Sequence, residues 1–256
     1  YSIKTEGKIA MGDRRILVSA AGINNGGGFV LFESLVRSLK TLPLKIALDS
    51  RLSSHYESLV HDGVAVVVKK SFFSRILANI RLSLEGRRQD VLFCFNSLPP
   101  LVRSKAFTVT YIHSPQFVGL HKNSSYAFRE RVRFFVEIIW LRSFHRNSDI
   151  LWVQTESMKV LLVRQLKGVR VEVVPFLDDS LFDLYSSKVS PIKNNLKKEY
   201  SFFYPASFTG HKNHIILTQA FRKLAKSGLN VNLTLTLSDG DFSKLIGGEP
   251  CDNIFN

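Results

Sequence analysis

A basic tetrad, His211-Lys212-Asn213-His214, stands where the apolar run Phe202-Phe203-Tyr204 gives way to a helical pattern. Ile216, Leu217, Ala220, Phe221 and Leu224 recur there at helical spacing, so one face can pack on a sheet. A strand-to-helix turn gathers free backbone N–H groups and the positive end of a helix dipole at one point, and a lysine adds a full charge. That is the chemistry of an anion site, phosphate above all. Lys212 is its charged member, and Ser207, Thr209 and Asn213 are hydrogen-bond donors beside it. A solvated basic helix start is the other reading of the same residues.

Two further groups lie where strands are expected to end. Asn24-Asn25-Gly26-Gly27-Gly28 follows the run Ile16–Ala20 and precedes a helical pattern from about Phe29 to Leu39. Glycines let a backbone approach a ligand closely, and the helix start favours an anion, so the segment reads as a ligand-facing loop or as a tight turn. It is not the G-x-G-x-x-G of dinucleotide sites. Asp49 comes near the ribose-binding position of such sites without clearly occupying it. Tyr111-Ile112-His113-Ser114-Pro115 closes another core strand. A histidine at that edge faces the crevice where open α/β sheets bind ligands, and it can hydrogen-bond a sugar hydroxyl, carry a proton, or simply be packed. The adjacent acids Asp178 and Asp179 read as a turn rather than a metal pair, and no H-E-x-x-H, G-x-S-x-G or Walker A pattern occurs.

The elements that must position these residues are legible as short runs rich in Val, Ile, Leu and Phe. They are Ile16–Ala20, Leu44–Leu48, Val64–Val68, Val91–Phe95, Phe107–Ile112, Ile150–Gln154 and Val171–Val174. Helical patterns over Ser53–Val60, Phe72–Leu84, Ser125–Arg146 and Glu156–Leu166 alternate with them, which indicates a parallel sheet covered on both faces. Residues 186–200 are polar, basic and proline-marked, as an interdomain linker is. Beyond them the strands Ser201–Tyr204 and Val231–Leu237, the helix Asn213–Ser227, a weak helix near Phe242–Ile246 and a strand at Ile254-Phe255 begin a second unit. The expected organisation is a first domain over 1–185, the linker, and a second, partial domain over 201–256.

The 256 residues include 35 Lys and Arg against 21 Asp and Glu, a formal net charge of +14. Such a chain is drawn to something anionic: nucleic acid, phospholipid or a phosphorylated substrate. The charge is clustered. Lys69, Lys70, Arg75, Arg81, Arg87 and Arg88 interleave with Phe72, Phe73, Ile76, Leu77, Ile80 and Leu84, which share a helical face. Arg129, Arg131, Arg133, Arg142 and Arg146 repeat the theme among Phe128, Phe134, Phe135, Ile138, Ile139 and Trp140. Either helix fits a membrane surface, or a core-facing helix with a solvated basic back. Phe134–Leu141, interrupted by Glu137, is too short to span a bilayer. Cys94 and Cys251 form no C-x-x-C pair and suggest neither a disulfide framework nor a zinc site, so a reducing compartment is expected.

Taken in order, the G-G-G turn, I-H-S-P, S-D-I-L-W-V-Q-T-E-S, V-V-P-F-L-D-D-S and P-A-S-F-T-G-H-K-N-H-I-I-L-T-Q-A-F make the chain resemble the retaining GT-B glycosyltransferases of family 4. That group builds bacterial surface polysaccharides. The resemblance implies an α/β protein of two Rossmann-like domains, the first complete and the second only partly present, with a nucleotide-sugar in the cleft between them. It implies Gly26, Gly27 and Gly28 near the donor sugar and phosphates, His113 on the sugar, and Lys212 neutralising the leaving diphosphate. Ser207, His211 and Asn213 would assist. Relatives carry a Gly-Arg pair where this chain has Pro205-Ala206-Ser207, which leaves one positive partner fewer unless His211 substitutes. Their E-x7-E element would fall beyond Asn256. The implied activity is transfer of a hexose, mannose among the options, from a nucleotide-sugar to a lipid-linked oligosaccharide in O-antigen-like biosynthesis. No cofactor or metal is implied. The expected location is cytoplasmic, at the inner face of the cell membrane and on its anionic surface. A nucleic-acid-binding α/β protein and an NAD-dependent oxidoreductase are the competing readings; no nucleic-acid reader motif supports the first.

Overall fold

The structure, a computed structural model, describes residues 14–118, 128–175, 200–247 and 252–256. They form two compact units, one built on a seven-stranded sheet and one on a three-stranded sheet. Asp178, Asp179 and Cys251 lie outside the described residues, as does the expected linker apart from Tyr200.

In the first unit, strands β1 (Ile16–Ser19), β2 (Leu44–Asp49), β3 (Ala65–Val68), β4 (Val91–Cys94), β5 (Phe107–Ile112), β6 (Ile150–Val153) and β7 (Arg170–Val173) pair in the order β3-β2-β1-β4-β5-β6-β7. Every pairing is parallel. The expected strands are all present, within a residue or so at their ends. Their apolar runs are continuous because helices cover both faces. Val18, Ile46, Phe93 and Tyr111 point to one face, where Phe32 and Val36 of helix α1 (Gly26–Leu39) pack on them. Leu17, Ala47, Leu92 and Cys94 point to the other, against Leu82 of helix α3 (Phe72–Glu85). Neighbouring residues thus serve opposite faces, as strand geometry requires. The short helix α2 (Glu57–His61) is smaller than the helix expected over Ser53–Val60. Helix α4 (Phe128–Phe144), from Val132 onward, and helix α5 (Glu156–Gln165) complete the unit's helices among the described residues. Thr155 caps α5 by accepting from the Met158 N–H.

The second unit pairs β8 (Tyr200–Tyr204), β9 (Val231–Leu235) and β10 (Ile254–Phe255) in parallel, in the order β10-β9-β8. Helix α6 (His214–Lys226) lays Phe221 on Val231, Leu233, Leu235 and Ile254; helix α7 is Asp239–Ile246.

Two expectations are corrected. The triple glycine is not a loop: α1 begins at Gly26, three residues early, so Gly26–Gly28 form its first turn. Gly26 takes φ +63°, a left-handed value that costs glycine nothing and other residues a good deal. The orientation of α3 is also inverted relative to a core-facing helix with a solvated basic back. Its buried positions are Asn79, Leu82 and Ser83, while Phe73, Leu77 and Leu84 are 81%, 67% and 69% exposed. On α4, Phe128, Val132, Phe135 and Ile139 are exposed at helical spacing. Both helices therefore turn an apolar stripe outward. No helix among the described residues is long and apolar enough to cross a membrane.

Candidate functional site

In the strand order of the larger sheet, β1 has β2 on one side and β4 on the other, and the chain's direction of travel reverses there. Ligands of open parallel sheets bind outside the carboxyl ends of strands at such a switch point. The loops after β1, β4 and β5 converge at that edge around a cavity of about 170 Å3. Gly22 and Ile23 come from the first loop, Asn96 and Ser97 from the second, and His113 and Ser114 from the third. Arg75 and Phe72 of α3 and Arg133, Phe134, Glu137 and Trp140 of α4 close the far side.

His113 is half-buried, its ring stacked on Phe95 at 5.7 Å and tilted against Tyr111 at 6.0 Å. Its backbone N–H donates to Ser97 Oγ at 3.3 Å, and the same oxygen lies 3.3 Å from Nδ1. The ring's far nitrogen faces α1, because a Cβ added to Gly28 would lie 3.4 Å from Nε2. Burial pushes the imidazole pKa down to about 4, against a smaller opposing effect of a backbone hydrogen bond to Tyr111, so the ring is neutral near pH 7. Facing it is the start of α1. Asn25 makes no capping hydrogen bond with its side chain, and the first turn holds no acid. The turn's N–H groups have no intrahelical acceptor and the dipole's positive end is uncompensated. A neutral hydrogen-bonding ring opposite a bare helix start suits a ligand with hydroxyls and an anionic group.

The loop after β1 is held by Asp49, a buried carboxylate at the end of β2. It accepts from the Gly22 N–H at 3.0 Å, the Arg51 N–H at 3.1 Å, Arg51 Nε at 2.7 Å and Arg51 Nη2 at 2.9 Å. Burial opposes its charge, but the bonds from Arg51 and the charges of Arg51 and Arg75 outweigh that and hold its pKa below the usual carboxylate range. Asp49 is thus occupied within the protein, which removes the acid a dinucleotide ribose would require. At the opposite wall, burial pushes the Glu137 carboxyl up, against the charges of Arg133 and Arg75.

The structure brings Gly28 and His113 together, with Gly26 and Gly27 in the same turn. Arg75, Arg133, Glu137 and Ser97 line the adjoining cavity, although the sequence marks the two arginines only as members of basic clusters. The rule that flags His113, a polar residue just past a core strand, also flags Ser97 after β4. Arg75 and Glu137 gave a weaker signal, as charged residues inside apolar helical stretches.

In the second unit a cavity of about 480 Å3 is lined by Phe208, Thr209, Gly210, Asn213, His214, Ile215 and Ile216. Asn213 takes φ +52° as the uncapped residue before α6 and lines this cavity. Lys212 is exposed beside it, at the end of a single 3-10 turn, and its carbonyl accepts from Tyr204 Oη at 3.0 Å. Ser207 is exposed and its carbonyl accepts from the Thr209 N–H at 2.9 Å. Neither Lys212 nor Ser207 lines the cavity, and the His211 side chain lies outside the described residues. His214, the tetrad's last member, is buried between Tyr204 and Phe208, with Nε2 3.2 Å from the Ala206 carbonyl.

No protein-family model and no curated protein sequence matches the chain. Solved structures resemble it. HepE from Anabaena, crystallised with UDP and glucose and with UDP-glucose, aligns with a TM-score of 0.52 and 11% identity over 94% of this chain and 68% of HepE. TarM from S. aureus, in a complex with UDP, fondaparinux and alpha-GlcNAc-glycerol, aligns with a TM-score of 0.46 and 13% identity over 71% of this chain and 36% of TarM. The chain therefore spans little more than a third of TarM and about two thirds of HepE. The likeness to HepE establishes the fold: mixed α/β and Rossmann-like, of the kind from which GT-B glycosyltransferases are built.

Proposed function

We propose that the chain is part of a retaining glycosyltransferase that moves a sugar from a nucleotide-sugar onto a lipid-linked glycan. The observation that carries this reading is the apposition of His113 Nε2 and Gly28 at the carboxyl edge of the sheet. It occurs on a fold shared with HepE, whose structures hold UDP with glucose and UDP-glucose. In this reading His113 hydrogen-bonds the donor sugar as a neutral imidazole, and the first turn of α1 offers N–H groups to its phosphates. Lys212, with Ser207, His211 and Asn213, takes the diphosphate. Charge builds on the departing phosphate in the transition state, so a fixed cation beside it lowers the barrier without a bound metal. Parallel calorimetric titrations with UDP, GDP and NAD test the reading. One nucleoside diphosphate is expected to bind, NAD is not, and Lys212→Ala is expected to weaken the diphosphate by about ten-fold, the scale of one charge-assisted contact. Binding of NAD alone, or of none of the three, would overturn it.

The outward apolar stripes of α3 and α4 favour residence on an anionic membrane surface, where a lipid-linked acceptor is found. Phe73, Leu77 and Leu84 are exposed beside Lys69, Lys70, Arg87 and Arg88, all of them exposed as well. Flotation with phosphatidylcholine vesicles, with and without phosphatidylglycerol, checks this. Binding is expected only with the anionic lipid, and Phe73→Asp with Leu77→Asp is expected to weaken it about ten-fold. Tight nucleic-acid binding with no vesicle binding would favour the competing reading instead.

A further inference from the structure

Arg75 is the less firmly held of the two arginines beside Asp49. Its Nη2 stands 3.5 Å from Asp49 Oδ2, longer than a good charge-assisted hydrogen bond. That carboxylate already accepts four hydrogen bonds from Arg51 and Gly22, which fills its lone-pair sites. Arg75 Nε is buried without a hydrogen-bond partner. The guanidinium lies flat against the β1 loop: a Cβ on Gly22 would meet Nη1 at 3.1 Å and Cζ at 3.2 Å. Gly22, at φ +106°, is a position where only glycine leaves the group room. Across the cavity, Arg133 reaches only the edge of an ion pair with Glu137, Nε to Oε1 at 3.7 Å, while its guanidinium sits 4.7 Å over the Phe134 ring. Two arginines thus face one opening with one partly buried carboxylate between them, and the hydrogen-bonding capacity of Asp49 is taken by Arg51 and Gly22. Aromatic side chains line the cavity beside the arginines, from Phe72, Phe117, Phe134 and Trp140. The volume, about 170 Å3, is below that of a drug-sized site and suits a ligand no larger than a single substituted sugar.

We infer that Arg75 and Arg133 bind an acidic group, a phosphate ester or a carboxylate, carried by a single sugar unit that stacks on these aromatic side chains. Under the glycosyltransferase reading, on which the word acceptor depends, this is the acceptor's recognition group. The arginine fork suits either acid, since both present two oxygens to it. The aromatic faces suit the apolar side of a sugar ring.

The test needs no donor, so it stands apart from the nucleotide titrations. Glucose 6-phosphate, glucuronate and glucose are titrated calorimetrically into the protein. At least one of the two acids is expected to bind and glucose is not; the tighter acid identifies the group. Arg75→Gln is expected to weaken that acid by at least ten-fold and Arg133→Gln by about three-fold, as exposed charge contacts do. Lys212→Gln is expected to leave it unchanged. If Arg75→Gln fails to fold, Arg133→Gln and Arg75→Lys carry the comparison, because lysine keeps the charge but loses the fork. Failure of both acids to bind overturns the inference. So does binding that survives in the Arg75 and Arg133 variants, or that vanishes only in Lys212→Gln.

Discussion

Asp49→Asn is expected to lower the unfolding free energy by about 3 kcal/mol, a large loss for one isosteric change. The carboxylate is 1% exposed and accepts four hydrogen bonds, three of them from Arg51. An asparagine keeps one oxygen and turns two donors toward groups that are themselves donors. Arg51 and Arg75 then remain positive with no buried counter-charge. Breaking a fully buried pair costs roughly 3–5 kcal/mol, and the lower end applies because both arginines keep some access to water. The carboxyl pKa is held below its ordinary value, so the wild-type advantage is fully present above about pH 4 and is lost as the pH falls below that. Urea unfolding of the two proteins near neutral pH measures the difference. A change under about 1 kcal/mol would mean that Asp49 does not organise the loop.

His113 is expected to make the fold acid-sensitive in a window of its own. Its folded pKa is pushed down to about 4, while an unfolded histidine titrates near 6.5. Above both values neither state binds the proton and the effect is nil. As the pH falls through the unfolded value, the unfolded chain takes up a proton that the folded ring refuses, and stability drops until the folded ring titrates too. A gap of about 2.5 units at 1.36 kcal/mol each amounts to about 3 kcal/mol. His113→Gln removes this acid sensitivity and keeps a side chain able to hydrogen-bond Ser97. The stability difference between wild type and variant should therefore shift by 2–3 kcal/mol in the variant's favour between about pH 8 and pH 4.5. A constant difference would show that the imidazole is not desolvated. For catalysis, the ring is expected to stay neutral throughout the physiological range. The variant should lose transfer activity by about 10- to 100-fold, the scale of one hydrogen bond to a reacting sugar, with no break in the pH profile near 6.5 attributable to His113.

Much of the fold was legible in the residues because its signals are strong and local. Runs such as Val91–Cys94 and Ile150–Val153 are apolar without alternation, as a strand buried on both faces is. Helix starts with a polar cap, as at Thr155, were equally clear. The start of α1 is hidden in the sequence because glycine is a poor helix former, and three in a row look like a loop. What admits them is position: the first turn has few intrahelical bonds to lose. Of the site, His113 is visible because it lies just past a core strand, and Gly28 because a run of glycines precedes a helical pattern. Arg75 and Glu137 are not, since a charged residue in a helix ordinarily points to water. On α3 and α4 that habit is reversed, with Phe73 and Phe135 outside and Arg75 and Glu137 turned to the cavity. Only three-dimensional packing reveals such a reversal. Trp140 Nε1, donating to the Pro99 carbonyl at 2.8 Å, and Asn79 Oδ1, accepting from the Leu101 N–H at 2.9 Å, pin the two helices in that orientation.

Ser97 sits at φ +63° with almost no surface, a posture that suits glycine and costs a serine about 1 kcal/mol or more. The hydroxyl is what the tension retains, for it accepts from the His113 N–H and lies within hydrogen-bond distance of the imidazole's inner nitrogen. A glycine would relax the turn and leave the ring free to rotate on its aromatic bed. The kink is therefore a small standing debt in backbone comfort, kept so that one imidazole stays aimed.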